Sequence, residues 1–366
     1  MKFKSERDIL VDALGGAARV VSTRSPGATS GILLALSGNQ LTITGTDLDL
    51  TVRTVVDVIG YEDGACVVPA RLITDAVRSL SSGAVTISAK DETVEISLDR
   101  AKFSLRTFNV VDYPKLPAIP TPSTSLAALE LTQGLTQVVR ASSNDDARPL
   151  LTGVLFTPEA TGLRLVATDS YRLAIRDLAG ATNIGGEKDL LVPSKALQEL
   201  QRAASSLSLD AEISVSITDA EICFTAGLTT ISSRLIDGNY PDYRQLIPVS
   251  YPNQLRVAKD TLLTSLRRAK LLANDQTSSV RLTLTASGVD ITTQSHDKGE
   301  VTDNVDGDYV GEELTIAFNP AFLIEGIEAV NGDEVILETS DSSRPAMIHG
   351  VDDVTYRYLL MPVRVQ

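Results

Sequence analysis

Residues 69–80, PARLITDAVRSL, determine how this chain is organised, because the same pattern occurs twice more. The other copies are PSKALQELQRAA, which begins at Pro193, and NPAFLIEGIEAV, whose proline is Pro320. A proline suits the first turn of a helix, since its φ is fixed and its missing N–H needs no partner there. Apolar residues follow at helical spacing, for example Ile73 and Val77 in the first copy. The sequence therefore predicts three copies of one unit, with a period of about 125 residues.

Two tyrosine–proline pairs and three strand-rich stretches extend this repeat. DYPKLP contains Tyr113 and NYPDYRQLIP contains Tyr240, and each proline-rich stretch is typical of a linker that closes one unit. Apolar and polar residues alternate through a strand, a glycine turn, a strand, a polar corner and another strand in residues 32–54, 154–177 and 280–304. Helical spacing predicts six helices, near residues 5–21, 71–80, 132–143, 194–205, 259–273 and 319–330.

The unit is therefore helix, strands, helix, strands, which is an α+β architecture. Its three copies correspond to domains at residues 1–120, 126–248 and 250–366. Such units are compatible with separate beads, a compact trimer-like body or a segment of a ring. The linker at residues 114–125 is short, which favours rigid neighbours over free beads.

Composition argues against the membrane-spanning and secreted classes of protein. Hydrophobic residues make up 43% of the chain, but aromatic residues only 4%, so aliphatic side chains fill the cores. The first residues are charged where a signal peptide is apolar, and no window approaches the roughly 18 apolar residues of a membrane span. Cys66 and Cys223 lie far apart in apolar, strand-like runs, which predicts two buried, reduced thiols in a cytoplasmic protein.

The charge is sorted between the elements. The formal net charge of −14 argues against nucleic acid as a partner only if it is evenly spread. The six predicted helices together carry +3, so the strands and loops are strongly acidic. The plainer interpretation is that any α+β protein distributes charge unevenly. The functional interpretation is a helical surface that meets DNA phosphates loosely, without reading bases, as a sliding protein requires.

The candidate phosphate contacts of that surface are Arg24, Arg71, Arg78, Arg140, Arg148, Arg202, Arg267, Arg268 and Lys270. Glu325 and Glu328, on the last predicted helix, do not fit a uniformly basic surface.

No arrangement of reactive residues predicts catalysis, a metal site or a cofactor. The two histidines, His296 and His349, lie near no cysteine and form no HExxH-like pair, and no nucleotide-binding glycine motif is present. Asp47 and Asp49 share a face if they lie on a strand, and two carboxylates there would suit a cation. The plainer interpretation is that they are hydrogen-bond acceptors at a strand corner, with Asp169 at the matching corner of the second unit.

Three runs of sequence together resemble the bacterial DNA polymerase III beta subunit, the sliding clamp. These are ATDSYRLA at residues 167–174, GNYPDYRQLIP at 238–248 and the terminal LLMPVRV at 359–365. The resemblance covers the whole chain and implies the α+β DNA-clamp fold, with three similar domains in tandem, helices lining a ring and antiparallel sheets outside. It also implies a head-to-tail homodimer that encircles double-stranded DNA, has no enzymatic activity and depends on a separate ATP-driven loader.

The resemblance further implies a groove between the second and third domains that binds short linear motifs. The expected partners are the DNA polymerase III alpha subunit, clamp-loader subunits, other polymerases, ligase and mismatch-repair proteins, in the cytoplasm and at the nucleoid. An aliphatic, Met-containing groove adapts to several apolar anchors. Carried over by match, its residues are Leu151, Thr168, Ser170, Tyr171, Arg172, Leu173, Pro241, Leu246, Leu359, Leu360, Met361, Pro362, Val363 and Arg364.

The chain departs from the family pattern at three places. Gln245 stands where a basic residue is frequent, which puts one rim contact in doubt. Pro149 and Leu150 replace an aromatic pair seen in some members of the family, so that a DNA contact in this loop depends on Arg148 alone. Gln366 extends the usual end by one residue.

Two other classes of function compete with the clamp. One is a repeat-built scaffold or adhesin that binds only protein. The other is a hydrolase with an unrecognised site, for which Asp47 and Asp169 are the candidate carboxylates.

Overall fold

The computed structural model describes residues 1–22, 27–181, 184, 186, 188–273, 279–295 and 298–363. Arg24, His296 and Arg364 lie outside these described residues. Within them the chain forms six α-helices and 25 strands, and each third follows one order of elements. A strand leads into a helix, a meander of antiparallel strands follows, and a second helix leads into three further strands.

The first third contains β1 (Lys2–Glu6), α1 (Arg7–Val20), β2 (Gly31–Ser37), β3 (Gln40–Thr46), β4 (Leu50–Asp57), β5 (Ile59–Glu62), β6 (Gly64–Pro69), α2 (Ala70–Ser79), β7 (Ala84–Lys90), β8 (Thr93–Leu98) and β9 (Ala101–Arg106). The second contains β10 (Thr124–Ala127), α3 (Ala128–Val138), β11 (Gly153–Glu159), β12 (Gly162–Thr168), β13 (Arg172–Ala179), β14 (Leu190–Pro193), α4 (Ser194–Ala204), β15 (Glu212–Ile217), β16 (Glu221–Ala226) and β17 (Thr229–Arg234). The third contains β18 (Asn253–Ala258), α5 (Lys259–Lys270), β19 (Val280–Thr285), β20 (Gly288–Ser295), β21 (Gly299–Val310), β22 (Leu314–Phe318), α6 (Pro320–Glu328), β23 (Glu334–Thr339), β24 (Ala346–Gly350) and β25 (Tyr356–Leu360).

The described chain divides into two compact units, and each contains strands from two repeats. Unit 1 comprises residues 1–132 and 195–235, and unit 2 comprises residues 133–194 and 236–366. Unit 1 has a five-stranded sheet in the order β5-β1-β7-β8-β9 and an eight-stranded sheet in the order β10-β15-β16-β17-β4-β3-β2-β6. Unit 2 has a 12-stranded sheet in the order β14-β11-β12-β13-β25-β24-β23-β18-β21-β20-β19-β22. The repeats are therefore joined by strand pairing, through β4 with β17 and through β13 with β25.

Aliphatic side chains fill the core of the first repeat, as the low aromatic content predicts. Leu10 and Leu14 of α1 and Ile73 and Val77 of α2 are almost completely buried against the strands. Gly45 of β3 allows α1 to approach the sheet, because a Cβ at this position would lie 2.1 Å from the carbonyl oxygen of Ala17. Any larger residue there would push α1 away from the sheet.

Five of the six predicted helices match the observed helices closely, and the sixth was misplaced. The helix predicted near residues 132–143 is α3, which begins at Ala128 and ends at Val138, with a 3-10 turn at Val139–Ala141 after it. Strand β10 runs directly into α3, whose first residue donates a backbone hydrogen bond to Ala211. The sequence also missed the strand that opens each repeat, namely β1, β10 and β18, because each runs directly into a helix without a turn signal.

The predicted charge of the helices was slightly too high. As the structure bounds them, the six helices of the described chain carry ten Lys or Arg and eight Asp or Glu, a net charge of +2. Arg140 lies beyond α3 and Glu130 lies within it, which lowers the sum by two, while Glu6 lies before α1, which raises it by one. The helices remain basic relative to a chain of net charge −14. No helix among the described residues is long and apolar enough to cross a membrane.

Candidate functional site

The corner between β12 and β13 is fixed by hydrogen bonds from its own side chains. The Thr168 hydroxyl donates to the carbonyl of Arg172 at 2.6 Å and accepts from the amide of Ser170 at 3.1 Å. The Asp169 carboxylate accepts from the amides of Tyr171 at 2.9 Å and Arg172 at 3.0 Å. Ser170 has a φ of 80°, a left-handed conformation that non-glycine residues seldom adopt. The corner therefore turns Tyr171 outward, where it is 60% exposed, and Arg172 inward.

Arg172 is the centre of a buried polar network. Its side chain is 8% exposed and donates to Asp169 at 3.0 Å, to Glu325 of α6 and to the backbone carbonyl of Arg140. The guanidinium also lies over the ring of Phe322, 4.2 Å from the centroid. Burial lowers the pKa of Arg172, but its acidic and phenolic neighbours outweigh burial and hold that pKa above the usual value. Arg172 therefore stays charged and ties the corner to α6.

The C-terminal segment lies beside this corner. In the pairing of β13 with β25, Leu360 stands opposite Arg172. Beyond the strand, the amide of Met361 donates to the carbonyl of Tyr171 at 2.9 Å, and the amide of Val363 donates to Ala317 at 2.8 Å. Met361 and Val363 remain 39% and 37% exposed. Two backbone bonds thus hold an apolar, solvent-facing edge, and Tyr171 stacks on Phe322 next to it with ring centroids 6.4 Å apart.

A compact apolar cluster underlies the corner. Its buried members are Leu155, Val166, Leu173, Ile175, Leu191, Tyr243, Met347 and Leu359. Leu246, at the end of the 3-10 turn Tyr243–Leu246, is 44% exposed and lines a depression together with Ile247, Val249 and Arg344. Tyr243 and Ile247, which flank Leu246, pack in one cluster with Leu173 and Leu359. We call Thr168–Leu173, Leu246 and Leu359–Val363 the candidate groove.

Most of the sequence-predicted groove residues are brought together, and two are peripheral. Leu151 is buried at the end of the 3-10 turn Pro149–Leu151, and Pro241 is exposed before the turn that holds Leu246. Arg364 lies outside the described residues. Of the departures, Gln245 donates to Asp242 at 2.8 Å, and Leu150 packs against the apolar cluster.

Sequence reasoning missed several residues of this region. Asp169 was not among the predicted groove residues, although its predicted place at the strand corner that matches Asp47 is confirmed. Phe322 and Glu325 are contributed by α6, about 150 residues from the corner, and no local sequence pattern identifies them as part of the site. Tyr243 and Met347 resemble ordinary core residues in the sequence.

The first repeat has the same corner with different side chains. The Thr46 hydroxyl donates to the carbonyl of Leu50, and Asp47 accepts from the amides of Asp49 and Leu50. Leu48 has a φ of 84°, which matches Ser170. Asp47 is therefore a hydrogen-bond acceptor at a strand corner, as the plainer interpretation of its sequence states.

The residues that differ decide the chemistry of the two corners. The amide of Arg234 donates to the carbonyl of Asp49, just as Met361 donates to Tyr171. Asp49 and Arg234 then form an exposed ion pair at 3.3 Å. A charged pair thus occupies, in the first corner, the place that an aromatic ring and a methionine occupy in the second.

The predicted phosphate contacts lie on the surface, and most are paired with a carboxylate. Eight of the nine are described, all of them are exposed, and Arg24 lies outside the described residues. The ion pairs are Arg71–Asp75, Arg140–Glu328, Arg148–Asp145, Arg202–Glu199, Arg267–Glu328 and Arg268–Asp303. Arg78 and Lys270 form no ion pair with any residue that the structure describes.

Comparison with known proteins identifies the family. Models of the N-terminal, central and C-terminal domains of the DNA polymerase III beta subunit match residues 1–117, 125–242 and 244–364 in succession. The chain belongs to the DNA polymerase III beta subunit family. It is 30% identical to the beta sliding clamp of Streptomyces coelicolor, and the match covers 100% of both chains.

Solved beta-subunit structures share the same fold over their full length. The sliding clamp of Bartonella birtlesii bound to griselimycin has a TM-score of 0.92 at 30% identity, and that of Pseudomonas aeruginosa bound to griselimycin has 0.90 at 29%; each match covers 100% of both chains. The predicted α+β DNA-clamp fold with three similar domains is confirmed. The chain is a sliding clamp of DNA replication, a processivity subunit that catalyses no reaction itself. The scaffold and hydrolase alternatives are therefore set aside.

Proposed function

We propose that two copies of this chain close head to tail into a ring that encircles double-stranded DNA and tethers replication and repair proteins to it. The observation that carries this proposal is that two of the unpaired strand edges in the described sheets correspond to the strands that join the repeats elsewhere. Strand β9 pairs only with β8, and residues 299–306 of β21 pair only with β20. A free edge is a template for another strand. Two unlike edges on one chain suit a heterologous contact that closes into a ring.

The register of that contact is suggested by the two places where repeats are already joined. Val52 of β4 stands opposite Ile231 of β17, and Ala174 of β13 stands opposite Tyr358 of β25. In each case the pair lies on the face of the sheet against which the helices pack. We therefore expect the corresponding residues of β21 and β9 to meet.

On β21, the residue that corresponds to Val52 is Val301. Val56 and Val305 each pair with the first apolar residue of the preceding strand, so they occupy equivalent positions. Val52 lies four positions before Val56, and Val301 lies four positions before Val305. On β9, the residue that corresponds to Ile231 of β17 is Phe103. Each of the two lies three positions before an arginine, and that arginine pairs with the first residue of the neighbouring strand.

This register joins complementary side chains. Phe103 would face Val301, an aromatic–β-branched pair of the kind that stabilises antiparallel strands. Glu300 would then lie diagonally between Lys102 and Arg106 of the second copy. The Glu300 carboxylate is therefore within diagonal reach of two cations, while Arg106 stands opposite Lys298, just before β21.

Two exposed leucines support the same contact. Leu72 lies three residues after the proline that precedes α2, and the corresponding Ala196 and Leu323 are buried. Leu72 is 54% exposed, and Leu271 after α5 is 71% exposed. The second copy would cover both leucines, because α2 contacts β9 and α5 contacts β21.

A cysteine pair tests the register. The backbone bonds of β4 with β17 make the Val52–Ile231 position a non-hydrogen-bonded pair, in which side chains are closest. We expect Phe103→Cys with Val301→Cys to form a covalent dimer under mild oxidation, seen as a reducible species of twice the chain mass on a denaturing gel.

The control moves one cysteine by one residue. Ser104→Cys with Val301→Cys places the thiols on opposite faces and is expected to stay monomeric on the gel. Cys66 and Cys223 are buried, and burial raises the pKa of Cys66 to about 12, so the native thiols do not compete. Equal cross-linking of both variants would contradict the proposed register.

The remaining parts of the proposal follow the family. We assign the domains to residues 1–120, 126–248 and 250–366, close to the segments that the three domain models match. We assign phosphate contact to the exposed basic residues on or near the helices, and residence to the cytoplasm and nucleoid. Since no nucleotide-binding motif is present in the sequence, ring opening is assigned to a separate ATP-driven loader.

We assign partner binding to the candidate groove. Its apolar floor, the rigid corner and the adaptable Met361 suit a short peptide with apolar anchors. The expected partners are the DNA polymerase III alpha subunit, clamp-loader subunits, other polymerases, ligase and mismatch-repair proteins. Relatives from Pseudomonas aeruginosa and Bartonella birtlesii bind griselimycin, and we expect this chain to bind it as well.

A further inference from the structure

Glu328 at the end of α6 holds two of the arginines assigned to DNA. Its carboxylate lies 3.4 Å from Arg140 Nη1 and 2.8 Å from Arg267 Nη2. Both arginine side chains are more than half exposed, and the Glu328 side chain is 32% exposed. One carboxylate thus occupies two guanidinium groups that are accessible to a phosphate from solvent.

The same arrangement occurs in unit 1 in a more buried form. Glu199 of α4 accepts from Arg19 of α1 at 2.9 Å and from Arg202. The Glu199 side chain is only 8% exposed, so it binds α1 to α4 as a structural contact. Glu328 differs because its pairs face solvent and can exchange with an external anion.

We propose that Glu328 acts as an internal competitor of DNA phosphate, keeping the contact of Arg140 and Arg267 with the duplex weak enough for sliding. This inference rests on the proposed function, in which these arginines meet DNA. A phosphate must displace the carboxylate before it binds either guanidinium, and an exposed ion pair yields easily. Each arginine that is neutralised internally also contributes less counterion release to binding.

The acidic residues of α6, which did not fit a uniformly basic surface, thereby gain a role. Glu325 forms an ion pair with the buried Arg172, while Glu328 weakens the contact of the exposed arginines with phosphate. Glu328 is not needed to hold the helix. Asn319 caps its first turn, and Gln137 donates to the backbone carbonyl of Ala329 at 2.7 Å.

The test uses Glu328→Gln, which removes the charge and keeps the shape. The control is Glu313→Gln, which makes the same change of net charge at an exposed position between β21 and β22. Binding of a fluorescent 30-base-pair duplex to the unloaded protein is measured by anisotropy across salt concentrations. We expect Glu328→Gln to bind about 3- to 10-fold tighter near 0.1 M salt, with a slope of log K against log salt steeper by about one to two. The control should shift affinity by less than about 1.5-fold.

Two outcomes overturn the inference. One is equal binding by the two variants. The other is a lowered melting temperature of Glu328→Gln with unchanged affinity, which would make the residue a structural contact only.

A third variant separates failure of this inference from failure of the proposed function. Arg140→Ala with Arg267→Ala should weaken duplex binding and flatten the salt slope. If it does so while Glu328→Gln changes nothing, only the competition is wrong. If the arginine variant itself binds like wild type, these arginines do not meet DNA and their assignment fails.

Discussion

Removal of residues 361–366 is expected to lower the affinity for a peptide from the tail of the polymerase III alpha subunit by at least about 100-fold, or about 2.7 kcal/mol. In this segment, the backbone amide of Met361 donates a hydrogen bond to Tyr171, and that of Val363 donates one to Ala317. It provides the exposed apolar edge of the candidate groove, and a few such residues carry most of the energy of a peptide contact. The affinity is measured by fluorescence anisotropy or calorimetry.

A point variant distinguishes loss of the Met361 side chain from loss of the whole segment 361–366. We expect Met361→Ala to lower the affinity for the peptide about 10-fold, because the thioether is truncated while the backbone hydrogen bonds remain. Leu209→Ala is the matched control, since Leu209 is 78% exposed and lies in the turn between α4 and β15, outside the candidate groove. Dimer mass should be unchanged in all three proteins, because β9 and β21 are untouched. Unchanged peptide affinity in the truncated protein would place the partner site elsewhere.

Arg172→Ala is expected to lower the free energy of unfolding of unit 2 by about 3 kcal/mol. The change removes the cation from a buried network and leaves Asp169 and Glu325 without their partner, which costs more than an exposed pair is worth. Urea or thermal unfolding measures the loss. The corner would loosen as well, so peptide binding should weaken in the same variant.

Arg148→Ala supplies the comparison for this prediction. Arg148 and Asp145 form an ion pair at 2.9 Å with nearly half of each side chain exposed. Its loss should cost less than about 1 kcal/mol. Arg172→Lys should recover only part of the stability, because an ammonium group cannot reproduce the donors of a guanidinium in a fixed plane. A loss below about 1 kcal/mol in Arg172→Ala would mean that the network does not hold the corner.

The fold was predictable where its signals are local. Periodicity gave α1, α2, α4, α5 and α6 with small boundary errors, because each begins or ends near a proline, a glycine or a polar turn. The exceptions are β1, β10 and β18, which run into helices without such a turn, and nothing in a local window marks the change of period. The domain boundaries predicted from the repeat remain proposals.

The site was predictable only in part, because its chemistry is assembled from distant residues. The corner motif at Thr168 is visible in the sequence, but the same backbone corner at Thr46 carries Asp49 in place of Tyr171. A repeat therefore predicts the scaffold and not the side chains that distinguish one copy. The partnership of Arg172 with Glu325 spans 153 residues and depends on strand pairing that spacing cannot reveal.

Retention on circular DNA is the most direct measurement of the encircling function. The protein is loaded onto nicked circular DNA with a clamp loader and ATP, isolated by gel filtration, and then challenged with a single cut that linearises the circle. We expect stable co-elution with the intact circle and release within minutes of the cut, with release prevented when the ends are blocked. Retention that is the same before and after linearisation would show that the protein binds DNA without encircling it.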